Sequence, residues 1–205
     1  MTIEQYDIKL SRLSSEDIEL VRFHRNSQRI QQFMAYKKTI SQRQQNNWFK
    51  SIDNKLNYYF IIEYQGEKIG LINCKDVIES QMVGEGGIFI WKQEVWKTHV
   101  PVMATLAFTD SIFYEFKLSN KSYIQIVKDN KLAIEYNKRL GYLLLPGQSR
   151  DYVQRYLLTK GDYEVHSSKI RKGLQILTQD LERPRITGSF SPKNLDRIND
   201  YLGSS

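Results

Sequence analysis

Residues 7 to 13 (DIKLSRL) alternate apolar and polar side chains, the period of a half-buried strand. The period then lengthens. Ser14 or Ser15 supplies a helix cap, Glu16 and Asp17 suit a helix N-terminus, and Ile18, Val21 and Phe23 mark an apolar face leading to Arg25-Asn26. A second helix is predicted over 27–34. A third starts at Ser41, whose hydroxyl forms a capping box with Gln44, and runs to about Ile52 through Trp48-Phe49.

From Asn57 the pattern is that of strands. Tyr58 to Tyr64 and Lys68 to Asn73 read as a hairpin about the tight turn Gln65-Gly66-Glu67. The stretch from Glu85 to Phe116 organises the rest. It reads as an apolar strand (Gly87 to Trp91), a polar turn (Lys92 to His99) and a long helix from Pro101 that buries Val102, Leu106 and Phe113. A strand that runs through a loop into a helix N-terminus can hold a phosphate, because free amides and the helix dipole point at the anion. The same unit is also a common structural element of α/β domains.

Ser122 to Val127 is another strand. Lys131 to Arg139 is a short helix stopped by Gly141, the residue type that follows helix C-termini. Residues 142–145 and 152–158 close the sheet about Pro146-Gly147. The order of elements predicts an α+β (mixed α/β) sheet domain over 1–162. Beyond it, Ile170, Leu174, Leu177 and Leu181 make one helical stripe, and Ser191-Pro192 opens a last helix with Leu195, Ile198 and Leu202. Residues 163–205 are thus read as a C-terminal helical extension, its stripe suited to packing on its own domain or to a homodimer contact.

Composition narrows this picture without deciding it. At 205 residues, 40% hydrophobic and 12% aromatic, the chain is globular and long enough to bury a core. Cys74 is the one cysteine and lies in an apolar run, which favours a packed thiol and leaves no disulfide and no cysteine metal cluster. His24 and His166 lack metal-ligand spacing, so no metal is predicted. No signal peptide or spanning segment is visible, which makes the cytoplasm the expected compartment and a membrane partner unexpected. The formal charge of +7 suits an anionic partner, but the basic residues are scattered and no nucleic-acid motif appears.

Five phrases, in this order, resemble the GNAT superfamily of N-acetyltransferases. They are LSRLSSEDIELVRFHRN, ISQRQQNNWFKSI, FIIEYQGEKIGLIN, the central strand–loop–helix and NKLAIEYNKRLGY. They are most similar to the branch of ribosomal-protein and amino-sugar acetyltransferases, over about residues 5 to 160. The resemblance implies a central, mostly antiparallel, splayed sheet flanked by helices. It implies acetyl-CoA as cofactor and a primary amine, such as an amino-sugar nucleotide, as acceptor. On that basis Glu85 or an ordered water is the base, and Tyr136 is the candidate proton donor. Ile88, Phe89 and Ile90 offer backbone to the pantetheine arm, and Asn130 bonds it. Thr98, His99, Val102 and Met103 meet the pyrophosphate. Arg25 and Asn26 face the acceptor.

The sequence departs from the family at the phosphate loop. Trp96 stands at the Arg/Gln position, His99 at the first glycine and Pro101 at the second. A Cβ there hinders close approach of the backbone, and Pro101 removes an amide donor. In the last helix the family tyrosine position is Asn137, and Tyr136 is rotated by about a third of a turn. A catalytically silent relative that binds another ligand or a protein is therefore the alternative reading.

Overall fold

The computed structural model describes residues 1–188. The helix expected from Ser191 lies outside the described residues. Nine strands form one sheet in the order β7-β8-β6-β5-β4-β3-β2-β1-β9. They are β1 (Thr2–Gln5), β2 (Ile8–Arg12), β3 (Tyr58–Tyr64), β4 (Glu67–Ile78), β5 (Val83–Ile90), β6 (Lys121–Val127), β7 (Leu143–Leu144), β8 (Val153–Thr159) and β9 (Arg185–Thr187). The helices are α1 (Ile18–Asn26), α2 (Gln28–Gln31), α3 (Gln42–Ile52), α4 (Val100–Asp110), α5 (Lys131–Arg139) and α6 (Lys160–Thr178). All pairs are antiparallel except β5 with β6. The expected α+β architecture is present.

Both faces of the sheet are covered, which explains the unbroken apolar run of β3. Tyr58, Phe60 and Ile62 pack in the larger core with α4, while Tyr59 and Ile61 pack in a second core with α1 and α3. The sequence signals for local structure hold in several places. Ser41 and Gln44 make the capping box at α3. Gln65 and Gly66, both at positive φ, turn β3 into β4. Gly141, at φ +100°, ends α5, and a side chain there would meet His166 of α6 at 3.0 Å.

Other elements differ from the sequence reading. The first strand is preceded by β1, joined to β2 by Tyr6 and Asp7, both at positive φ, as a two-residue hairpin turn requires. Helix α1 starts at Ile18, with Asp17 and not Ser14 or Ser15 as its cap residue. The Asp17 carboxylate instead pairs with Lys68 at 2.5 Å. Phe23 is 67% exposed and does not join the apolar face. Strand β5 begins at Val83, four residues earlier than expected, and α4 ends in a widened π turn over Ser111–Glu115.

Residue 162 lies inside α6, which buries Tyr163, Ser167 and Leu174 against the domain. Ile170 also packs on the core, whereas Leu177 and Leu181 are exposed. The tail is not wholly helical, since β9 pairs with β1 at the sheet edge. Among the described residues no helix is long and apolar enough to cross a membrane, and no cluster of His, Cys, Asp and Glu could hold a metal.

Candidate active site

Strands β5 and β6 run side by side only at Val83–Lys121, Gly84–Ser122 and Glu85–Tyr123. Beyond Glu85 they part. Trp91 donates its amide to Ile69 O of β4, so the alternation of the strand turns the backbone of Gly86, Ile88 and Ile90 toward the gap. Strand groups with no ladder partner need another one. The indole of Trp96 supplies one, donating to Ile90 O at 2.8 Å. Beyond the last rung at Glu85–Tyr123, the Gly86 carbonyl and the Ile88 backbone face the opening.

A cavity of about 440 Å3 occupies this gap, walled by β5, β6, α4 and α5. Its lining is mainly apolar, with Ile88, Ile90, Ile124, Ile126 and Phe108 prominent. Gly86 leaves room that no other residue would. A Cβ there would stand 2.9 Å from Ser122 Oγ, 3.3 Å from Ile124 Cγ2 and 3.5 Å from the Tyr142 hydroxyl. Ile88, Phe89, Ile90 and Asn130 all line the cavity. Asn130 also caps α5, accepting from the Ala133 amide at 3.1 Å.

Glu85 sits where the strands part. It accepts from the Tyr123 hydroxyl at 3.0 Å and pairs with Lys75 at 3.1 Å. Strand alternation places its side chain on the same face as Phe89, the face covered by α1 and α3. Gly86 faces the other side, toward Tyr142, whose hydroxyl donates to Ser122 Oγ at 2.9 Å. Burial pushes the Tyr142 pKa up to about 12. Burial, followed by the nearby Glu85 charge, does the same for Tyr123. Both phenols therefore stay protonated at neutral pH. The Cys74 thiol, also on the cavity wall, is likewise pushed up to about 12 by burial and is no thiolate.

Tyr136 reaches the cavity despite its rotated position, as does Asn137. Its hydroxyl donates to Pro101 O at 3.1 Å and lies 2.7 Å from Thr105 Oγ1, tying α5 to the start of α4. Burial raises its pKa. No local sequence signal marks Tyr142 as a site residue. Its hydroxyl gains its place at the strand opening through Gly141 and the contact with β6, which are long-range features.

The phosphate end of the site is reduced. Thr98 turns its hydroxyl inward, donating to Val95 O at 2.8 Å and accepting from the Val100 amide. Pro101 has no amide, and the Met103 amide already bonds His99 O at 3.0 Å. Met103 is therefore not available to an anion, contrary to the sequence expectation, because it is the first residue to close a full helical turn. The amides of His99 and Val102 are left at the N-terminus of α4. Thr98 and His99 are exposed, and of the 98–103 segment only Pro101 lines the cavity.

A second cavity, of about 320 Å3, lies on the α1 and α3 face. It shares Met34, Asn73 and Phe89 with the first. Arg25 lines it. Asn26 does not, because both ends of its amide bond the Ile40 backbone at 2.8 Å and hold the following loop in place.

The comparisons agree with this architecture. A family model described as an acetyltransferase (GNAT) domain matches residues 7–143. No curated protein sequence matches the chain. Among solved structures, the apo form of FdhC, described as a nucleotide-linked sugar GNAT, superposes with a TM-score of 0.69 at 18% identity, covering 85% of this chain and 98% of that one. Spermidine N-acetyltransferase from Vibrio cholerae, in complex with CoA and spermine, gives 0.65 at 14% identity, over 78% and 99%. A domain from Methanocaldococcus jannaschii gives 0.61 at 21% identity, over 74% and 97%. At these identities the likeness of the solved structures is one of fold. The family model covers well over half of the sequence, including the parted strands and both cavity walls, and the chain belongs to the acetyltransferase (GNAT) family.

Proposed function

We propose that the protein is an acetyl-CoA-dependent N-acetyltransferase acting on the primary amine of a small molecule. The observation that carries this reading is the opening between β5 and β6, with the Gly86 carbonyl and the Ile88 backbone facing an apolar cavity that ends at the α4 N-terminus. The residues present fit the pantetheine arm: a slot free of Cβ atoms at Gly86, exposed strand backbone and an apolar wall. When bound, acetyl-CoA supplies an activated acetyl thioester. The phosphates would meet the His99 and Val102 amides, the helix dipole and the side chains of Lys97 and His99.

The two faces of the sheet then divide the work. Glu85, on the α1 and α3 face, accepts the proton that the acceptor amine gives up. Lys75 and Tyr123 hold its carboxylate at the point where the strands part. Tyr142, on the opposite face beside Gly86, is placed to return a proton to the departing thiolate. Tyr136 is committed to the start of α4 and serves the cavity wall. The Ile88 amide is the donor nearest the gap for the carbonyl oxygen, and fixed donors of this kind lower the barrier without reorganising.

The opposing reading, a silent relative with a remodelled cleft, draws its support from Thr98 and Pro101, which remove two amides from the phosphate end. Calorimetric titration with acetyl-CoA separates the two. A dissociation constant in the micromolar range, about −8 kcal/mol, is expected, and Gly86→Ala should abolish the heat by filling the slot. Glu85→Gln should keep the binding and lower the rate of thiol release by about a hundredfold. Absence of heat with wild type at millimolar acetyl-CoA would sink the transferase reading.

A further inference from the structure

The second cavity has an unusual wall. Trp48, Tyr59, Leu71 and Phe89 make it largely aromatic and apolar, and no carboxylate lines it. Its one charged group is Arg25. Nη2 of that residue donates to Tyr36 O at 2.8 Å, whereas Nη1 is buried with no hydrogen-bond partner. A buried guanidinium nitrogen without an acceptor forfeits its hydration and recovers nothing in return. Burial accordingly lowers the pKa of Arg25, opposed by the Tyr36 phenol and by no carboxylate. Such a group is completed by a ligand that brings its own acceptor.

We infer that this cavity holds the acceptor, and that the acceptor is an amine that also carries an oxyanion, a carboxylate or a phosphate, which pairs with Nη1 of Arg25. The inference rests on the transferase reading for the amine and on Arg25 alone for the oxyanion. The cavity shares Met34, Asn73 and Phe89 with the larger one, whose wall includes Glu85, so the two adjoin at these residues. The aromatic wall suits an apolar or ring-shaped body between the two polar ends. Polyamines fit poorly, because each additional ammonium would enter a wall that offers a guanidinium and no carboxylate.

The test is calorimetric titration of the full chain with three matched probes, each with and without saturating CoA. They are para-(aminomethyl)benzoate, the corresponding phosphonate and the neutral para-(aminomethyl)benzamide. An anionic probe should bind at least about tenfold more tightly than the benzamide, because a site built to pair with a group rejects the analogue lacking it. The tighter of the two anions identifies the oxyanion. Arg25→Met should erase the difference, and Arg25→Lys should retain part of it. Because Nη2 also supports the Tyr36 loop, thermal melts of both variants accompany the titrations. A loss of preference that appears in Arg25→Met and not in Arg25→Lys, with similar melting points, separates charge recognition from a folding defect.

Equal affinities of the three probes for wild type, or no binding of any, would overturn the inference and assign Nη1 to solvent. So would spermidine binding more tightly than both anions, or a preference that survives Arg25→Met. Failure of CoA to bind would remove the transferase reading, and the oxyanion preference would still be read from the CoA-free titrations.

Discussion

His24 lies flat against the indole of Trp91, with ring centroids 4.6 Å apart and planes 3° from parallel. Burial lowers its pKa below the ordinary 6.5. The unfolded chain therefore takes up a proton on this ring as the pH falls through 6.5, and the folded chain does so only at lower pH. Stability is complete above about pH 6.5 and declines below it. His24→Gln should flatten that decline between about pH 6.5 and 5, read as the pH dependence of the urea midpoint. Identical slopes for variant and wild type would refute the assignment. At this scale the sequence was informative where a residue acts through its own backbone or its near neighbours. Ile88 to Ile90 as a strand and the missing amide of Pro101 were both readable. The family resemblance turned Arg25 toward the acceptor, but its buried, unpartnered Nη1 was not readable, nor was the contact of Tyr142 with Ser122, twenty residues away.

Helix α6 is fastened to α4 by a buried polar group. Asp110, 5% exposed, accepts from the Tyr163 hydroxyl at 2.7 Å and pairs with Arg171 through both carboxylate oxygens. Arg171 also donates to Ser167 Oγ. Removing the guanidinium strands a carboxylate in an interior that cannot solvate it. Arg171→Met should cost about 3 kcal/mol in urea denaturation, and Asp110→Asn in that background should recover much of the loss. A cost below about 1 kcal/mol would show that Arg171 is effectively solvent-screened. The apolar stripe announced α6 as a helix, yet this pairing decides which face it lays down, so Ile170 and Leu174 are covered while Leu177 is not, and Leu181 lies beyond the helix end. Elements with strong local signals, such as the α3 capping box and the Gly141 stop, were legible to within a residue or two. The Tyr6-Asp7 turn was not, because neither residue is glycine and only the pairing of β1 with β2 forces positive φ on them. Strand β9 has three residues and no pattern of its own.

For the molecule as a whole, the order of elements along the chain was enough to give the sheet. It could not give the end-pairing of β9 with β1, which brings residues 2 and 187 together. The parallel contact between β5 and β6 divides that sheet into unequal portions. One carries β9, β1, β2, β3, β4 and β5, and the other carries β6, β8 and β7. Only three residue pairs bridge them. This contact is a seam, the thinnest pairing inside the sheet apart from those of the short edge strands β7 and β9, and a place with few rungs to lose on opening. An occupant of the gap takes the place of the missing rungs. Binding of CoA should therefore slow amide hydrogen exchange in 83–90 and 121–127 together, and the slowing should extend into β8, which touches no part of the cavity. Protection confined to β5 would mean that the two portions move independently. On this view the proposed ligand is mortar as much as reactant: the same gap that would admit the arm makes the cohesion of the sheet conditional on its being filled.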